Sequence, residues 1–293
     1  MQEYLRNVRR ELDWFREKEF LTESVAEVRQ KLDKFFHVYS IMTANLGNCY
    51  VYRVRSCDED RPHLETSDIW VPPSEVLVRV ARANDIGERI FYGALHPMTA
   101  IKEAAITESQ YFTLGVYHLR AMNEGDMPSV VIKTPPKPNP MARPLEQLGH
   151  ELSEFVESEF TKTINRENDH HYKKSCAMAQ NLFNLPYKDS LLYPSVQDAD
   201  MINIALPEAV AANRLTLKQV FHCQLRGWPY ALSESRPLGE KLKTVTDKSP
   251  IGFRLNPIGD PMRFSLMFEH SKIESPDEML RRAIQGSNAP KIC

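Results

Sequence analysis

Apolar residues recur at helical spacing from the start of the chain, at Tyr4, Leu5, Val8, Leu12 and Phe15, with charged residues between them. Ser24 followed three positions later by Glu27 is the signature of a capping box, and Val28, Leu32, Phe35 and Phe36 carry the stripe onward, so residues 1–38 read as a helical hairpin. Apolar faces on both helices need cover from the rest of the chain or from a second copy. The expectation is that this hairpin belongs to a homo-oligomeric or partner interface rather than to a small-molecule pocket.

The period then changes. Cys49 to Val54 is rich in β-formers, and 89–94 and 110–119 read as further strands with a short helix near 97–106 between them. Five prolines across 135–144 remove backbone donors and exclude both helix and inner strand, which leaves a linker or extended loop. Beyond it, 145–164 and 167–183 look helical, with Leu145, Leu148, Leu152, Phe155, Val156 and Phe160 on a buried stripe. Leu191 to Ser195 leads into Asn203-Ile204-Ala205-Leu206 as strand, turn, strand, a period of two marks a strand at 264–268, and Ser275-Pro276-Asp277-Glu278 opens a last helix over 276–286. Strands interleaved with helices predict an α/β (α+β) fold, a mixed β core with surrounding helices and a helical N-terminal extension.

Composition narrows the function. The 293 residues are 42% hydrophobic and 26% charged, the balance of a globular protein of one large or two small domains. Thirty-seven basic against 39 acidic side chains give a net charge of −2, so no field of one sign spans the molecule and nucleic acid is not expected as a direct partner. Cys49, Cys57, Cys176, Cys223 and Cys293 follow no metal-ligand rhythm, and Asp169-His170-His171 has no third ligand at a convincing spacing, so no metal is expected. His222-Cys223 suggests a thiol catalyst only if the two side chains meet, and Cys223 reads better as a small buried residue. The charged N-terminus and the absence of an apolar run near eighteen residues predict neither signal peptide nor membrane span, and a cytoplasmic location.

Residues 79–103 carry the chemistry. Arg82-x-Asn84-x-x-Gly87 is a turn bearing a two-pronged anion binder, the next strand presents Tyr92, and the following helix presents Glu103. Those spacings bring an arginine, a phenol and a carboxylate toward one end of a strand.

Taken in order, Tyr52-Arg53-Val54, Arg82-x-Asn84-x-x-Gly87, Tyr92-Gly-Ala, Ala100-x-x-Glu103 and Tyr193-Pro194-Ser195 resemble the RES domain family, named for its Arg, Glu and Ser. The resemblance covers roughly 50–220 and divides the chain into a helical extension over 1–45, a RES-like catalytic domain over 46–225 with a proline-led insertion at about 135–185, and a C-terminal extension over 226–293 packed on that domain. Ala83 stands where the family commonly has a bulky aromatic residue, and Asp85-Ile86 where it often has two prolines, departures that bear on the loop more than on the reacting groups.

The resemblance implies a compact fold similar to ADP-ribosyltransferases, NAD as substrate rather than cofactor, and bacterial toxin-like activity restrained by an antitoxin. Family members cleave the nicotinamide–ribose bond by hydrolysis or by phosphorolysis, the latter with inorganic phosphate as co-substrate. Transfer of ADP-ribose to a protein is the alternative activity, and a catalytically silent interaction module the alternative from another class. On this reading Glu103 stabilises charge growing on the ribose, Arg53 and Arg82 hold phosphate oxygens, and Asn84 lines the substrate site. Tyr92 packs its ring on nicotinamide or ribose with its hydroxyl free to bond, and Ser195 bonds substrate and helps orient Glu103.

Overall fold

The computed structural model describes residues 2–226 apart from 62, 64, 108, 124–125, 127, 165–167, 186–188 and 198–200, together with 252–257. The strand expected at 264–268, the helix expected at 276–286 and most of the C-terminal extension lie outside the described residues.

In chain order the elements are α1 (Gln2–Glu17), α2 (Val25–Phe36), β1 (Met42–Ala44), β2 (Cys49–Cys57), α3 (Thr66–Ile69), β3 (Ile90–Ala94), α4 (Pro97–Glu103), β4 (Tyr111–Leu119), β5 (Ser129–Val131), α5 (Pro144–Thr161), α6 (Lys173–Phe183), β6 (Leu191–Pro194), β7 (Ile202–Pro207), α7 (Glu208–Arg214), β8 (Leu215–Arg226) and β9 (Gly252–Pro257). Short 3₁₀ turns occupy Ser74–Val76 and Asp169–Tyr172. The strands form one nine-stranded sheet in the order β1-β5-β6-β7-β3-β2-β4-β8-β9. Among the described strands only β5 and β6 run parallel, so the sheet is mixed, as the sequence predicts.

The hairpin forms as its pattern dictates. The Ser24 hydroxyl accepts from the Glu27 amide while the Glu27 carboxylate accepts from the Ser24 amide, satisfying two donors that the start of α2 would leave unpaired. Its apolar stripes are covered from within the chain: α1 packs on α5 and α2 on α6. Phe15 meets Phe35 and Phe155 at ring separations of 5.2 and 6.1 Å. Val8, Leu12, Val28 and Leu32 share a single core with Leu152, Phe160, Cys176 and Leu182. The surface expected to seek a second copy is therefore occupied by the helices after the proline-rich segment, and the argument for an interface at 1–38 falls. Leu145 departs from the stripe assigned to it, because it sits in the first turn of α5 beyond the edge of that core and stays exposed.

Two apolar faces cover the sheet. One carries Val51, Phe91, Tyr117, Leu192, Ile204 and Leu206. The other is shared by the helical layer, over Tyr92, Tyr193 and Ala205, and by α4, over Tyr52, Leu114 and Val116.

Candidate active site

The sheet opens between β2 and β3, which pair only at Tyr52 and Ala94 although each pairs along its length with its other neighbour. Gly93 permits the close approach at the vertex: a Cβ there would lie 2.5 Å from Val51 Cγ1 and 3.1 Å from the Tyr52 carbonyl oxygen. The Tyr-Gly-Ala triplet thus has a steric reason, since any side chain would force the strands apart.

The loop before β3 holds its shape by backbone and side-chain bonds. The Ala81 amide donates to the Asn84 carbonyl at 2.9 Å, the Gly87 amide to the Leu77 carbonyl at 2.8 Å, and Gly87 takes the left-handed φ of 74°. Asp85 and Glu88 replace the stiffness of prolines with hydrogen bonds, the Asp85 amide donating to Glu88 Oε2 and the Ile86 amide to Asp85 Oδ1. Inside this loop the Tyr92 hydroxyl accepts from the Ala83 amide at 2.9 Å and donates to Asn84 Oδ1 at 2.8 Å. The hydroxyl expected to be free is committed to the loop, and burial pushes its pKa well above the ordinary phenolic value. Ala83 is fully buried, which explains why an aromatic side chain is absent there.

Arg82 has partners within the chain. Its Nη1 donates to the carbonyls of Glu159 and Phe160 and its Nη2 to that of Lys162 at 3.0 Å, with the guanidinium 5.3 Å above the Tyr172 ring. A cation on the last carbonyls of α5 suits the negative end of the helix dipole. Three of the five guanidinium donors thus go to a helix end that sequence spacing could not place beside it.

Glu103 and Ser195 do meet. His96 caps α4 by accepting the Met98 amide, Pro97 follows in the first turn, and the helix ends at Glu103 just before Ala105 adopts a φ of 52°. A carboxylate at a helix C-terminus faces like partial charge. Three donors offset this, all on Oε1: the Ser195 hydroxyl at 2.5 Å, the Asn203 amide Nδ2 at 2.8 Å and the Val196 backbone amide at 3.2 Å. Ser195 and Asn203 are buried, whereas Glu103 is exposed. Among the described residues nothing donates to Oε2. The result is a carboxylate fixed by one oxygen with the other available.

Asn203 is the residue that sequence reasoning missed. Its signal was present, since an amide inside the apolar run Ile202 to Leu206 must find a buried partner. Tyr193 stands in the Tyr193-Pro194-Ser195 motif, but the resemblance gives it no role of its own. It packs on Phe160, and burial raises its hydroxyl pKa, with Arg82 opposing and Glu103 adding to the shift, so it stands within the electrostatic reach of both.

Arg53 reaches the fork from the other face. It shares the face of Val51 and Phe91, while Tyr92 and Asn203 project opposite. Its Nη1 donates to the Tyr92 carbonyl at 2.6 Å, its guanidinium lies 5.2 Å from the Phe91 ring centre, and its Nε is buried without an acceptor among the described residues. Burial, aided by Arg55, pushes its pKa down to about 10. Glu103 with Ser195 and Asn203, and Tyr92 with Asn84, therefore form two hydrogen-bonded groups on one side of the sheet, and Arg53 lies on the other.

His222 does not turn toward Cys223, which is buried in the apolar layer. It meets Cys57, whose sulfur lies 3.6 Å from Nδ1, because alternate residues of β8 point to opposite faces. No three His, Cys, Asp or Glu side chains among the described residues could hold a metal ion together.

A family model described as the RES domain matches residues 50–232. No curated protein matches the chain. Among solved structures, a chain of the M. tuberculosis MbcT–MbcA toxin–antitoxin complex is similar, with 12% identity over 62% of this chain and 86% of that one and a TM-score of 0.35.

Proposed function

Because the chain belongs to the RES domain family, we propose that it is a toxin-like enzyme that consumes NAD by breaking the bond between nicotinamide and ribose. The observation that carries this reading is the posture of Glu103. Ser195, Asn203 and the Val196 amide hold one carboxylate oxygen, and the other takes no donor from the described residues on an exposed side chain.

When the C1′–nitrogen bond breaks, the electron pair leaves with nicotinamide, which departs neutral, and positive charge spreads over the ribose ring. A fixed carboxylate beside the ring stabilises charge that exists only near the transition state, so its effect falls on the rate rather than on binding. The leaving group needs no proton, and a second carboxylate of the kind ordinary glycosidases use is dispensable. Water or inorganic phosphate then bonds to C1′ through oxygen. Attack by water releases its proton to solvent.

Ser195 and Asn203 are positioning residues in this scheme, since both act through Glu103. Arg53 is the cation best placed to meet a phosphate group, because its Nε has no acceptor and no carboxylate pairs with it among the described residues. Depletion of NAD harms the cell that makes the enzyme, so a neutralising protein partner belongs to the same reading.

Incubating the purified full-length chain with NAD, with and without inorganic phosphate, tests it. Release of nicotinamide that is lost in Glu103→Gln supports the proposal, and the sugar product distinguishes hydrolysis from phosphorolysis. A labelled protein in place of free product would mean ADP-ribosyl transfer. No loss of NAD under any of these conditions would overturn the reading in favour of an interaction module.

A further inference from the structure

Three neighbouring strands bring a thiol, a hydroxyl and an imidazole to one face of the sheet, at Cys57 of β2, Thr113 of β4 and His222 of β8. Pairing sets Tyr111 opposite Cys57 and Thr113 opposite His222. Cys49, Cys176 and Cys223 each sit in an apolar core. Cys57, at the end of its strand, belongs to none of them and is partly exposed.

Hydrogen bonds fix what each partner can do. His222 Nε2 lies 3.0 Å from the Glu59 carbonyl oxygen, which can only accept, so Nε2 carries a proton. In the neutral ring Nδ1 is then bare, and it faces the Cys57 sulfur at 3.6 Å. Tyr111 stacks on the imidazole with ring centres 5.4 Å apart and planes 16° apart, which holds the ring in that orientation. The Thr113 hydroxyl accepts from the His63 amide at 3.3 Å and donates to the sulfur at 3.7 Å, so negative charge arriving on sulfur meets a donor. Nucleophile, base and orienting group thus stand in order, as thiol, Nδ1 and the carbonyl behind Nε2. Burial raises the pKa of Cys57, with Thr113 opposing and Asp58 adding to the shift. The resting group is therefore a thiol, and its reaction needs a base that takes the proton during attack.

We propose that Cys57 is a nucleophile activated by His222 and that it exchanges with small disulfides. The sulfur bonds to one disulfide sulfur as its proton passes to His222 Nδ1. The S–S bond breaks, its electron pair leaves on the second sulfur, and that thiolate takes the proton back from the imidazolium. The products are a mixed disulfide on Cys57 and one small thiol. Attack on a carbonyl would instead need free donors for an oxyanion, and the Thr113 hydroxyl and His63 amide are both committed. The site lies on the strand face that carries Arg53 and does not depend on the NAD reading.

Reaction of the full-length chain, carrying Cys293→Ser, with dithiodipyridine tests the proposal. Absorbance of the released thiopyridone gives the rate, and mass spectrometry of peptides locates the adduct. Cys57 should react first, and faster than the same thiol in the urea-unfolded chain. His222→Gln can still donate to the Glu59 carbonyl but offers the sulfur no base, and should slow Cys57 about tenfold or more. First reaction at another cysteine, a native rate no faster than the unfolded one, or an unchanged rate in folded His222→Gln would each overturn it. Should His222→Gln fail to fold, an unchanged rate in Thr113→Val, which keeps the shape but removes the donor to sulfur, would do the same.

Discussion

Replacing Glu103 by Gln removes one charge and almost nothing else. The amide oxygen of Gln can accept from Ser195, Val196 and Asn203 as Oε1 does, at 2.5, 3.2 and 2.8 Å, and its NH₂ then takes the place of Oε2, which no described residue contacts. The side chain is exposed, so the fold should keep its melting temperature. On the proposed reading what is lost is a preorganised negative group beside developing positive charge, worth about 2.7–4 kcal/mol by analogy with a lost oxyanion-hole donor, or roughly a hundred- to a thousandfold in turnover. Chromatographic measurement of nicotinamide release at saturating NAD, with circular dichroism as the folding control, gives both numbers. A folded variant that keeps more than about a tenth of wild-type turnover would refute the electrostatic role of Glu103. Glu103→Ala separates the two effects, because it also strands the buried Ser195 and Asn203 donors and should cost about 1–3 kcal/mol of stability.

Arg82→Lys keeps the charge but cannot reach three carbonyls at once, so hydrogen exchange at 159–162 should accelerate and stability should fall by about 1–3 kcal/mol; unchanged exchange there would show that α5 does not depend on it. Deleting 1–38 should give aggregated or unfolded protein, since it uncovers the faces of α5 and α6 that Phe15 and Leu32 occupy, and a soluble truncated chain with the wild-type melting temperature would contradict the packing argument. The fold should also weaken in alkali. Burial raises Tyr52 and Tyr117 to about 12 and Tyr39, Tyr92 and Tyr193 further, so below about pH 10 both folded and unfolded chains keep these protons and stability is complete. Above that pH the unfolded chain loses them first, and each tyrosine removes up to about 1.4 kcal/mol per pH unit, with Arg53, held down to about 10, offsetting one of them. Melting temperature and tyrosinate absorbance followed together through this range should change together, and full tyrosine titration with the fold intact would count against the buried hydroxyls.

Local chemistry was readable in the chain where it acts over one turn or one strand. Ser24 and Glu27 marked the start of α2, and the β-formers from Cys49 marked β2, because both patterns depend on neighbours a few residues away. β8 escaped for a definite reason. A bulge opposite Val116 and Tyr117 inserts an extra residue, so Leu217 packs on one face of the sheet while Phe221, at the same parity, packs on the other. The strands β1 and β5 have three residues each, too short to display a period. In the site, Glu103 and Ser195 were found together because their motifs carry the resemblance. The true partners of Arg82 were not, since they lie 77 to 80 residues away on a helix whose docking nothing local specifies.

That docking gives the helical layer a part in the site. The carbonyls at the end of α5 hold Arg82, the next residue donates its backbone amide to the Tyr92 hydroxyl, and Tyr92 in turn holds Asn84. These bonds run without a gap from the inserted helices to β3, the strand that forms one wall of the opening. The hairpin α1–α2 closes the far side of the same layer, so segments before residue 50 bear on the posture of a loop inside the family match. Arg82 holds three carbonyls at the end of α5 through its two Nη atoms. Arg53 by contrast has a buried Nε without an acceptor among the described residues. On the proposed reading this difference puts the phosphate end of NAD nearer Arg53 on β2 and gives Arg82 a share in holding the loop, a division of labour that their nearly identical chemistry in the sequence conceals.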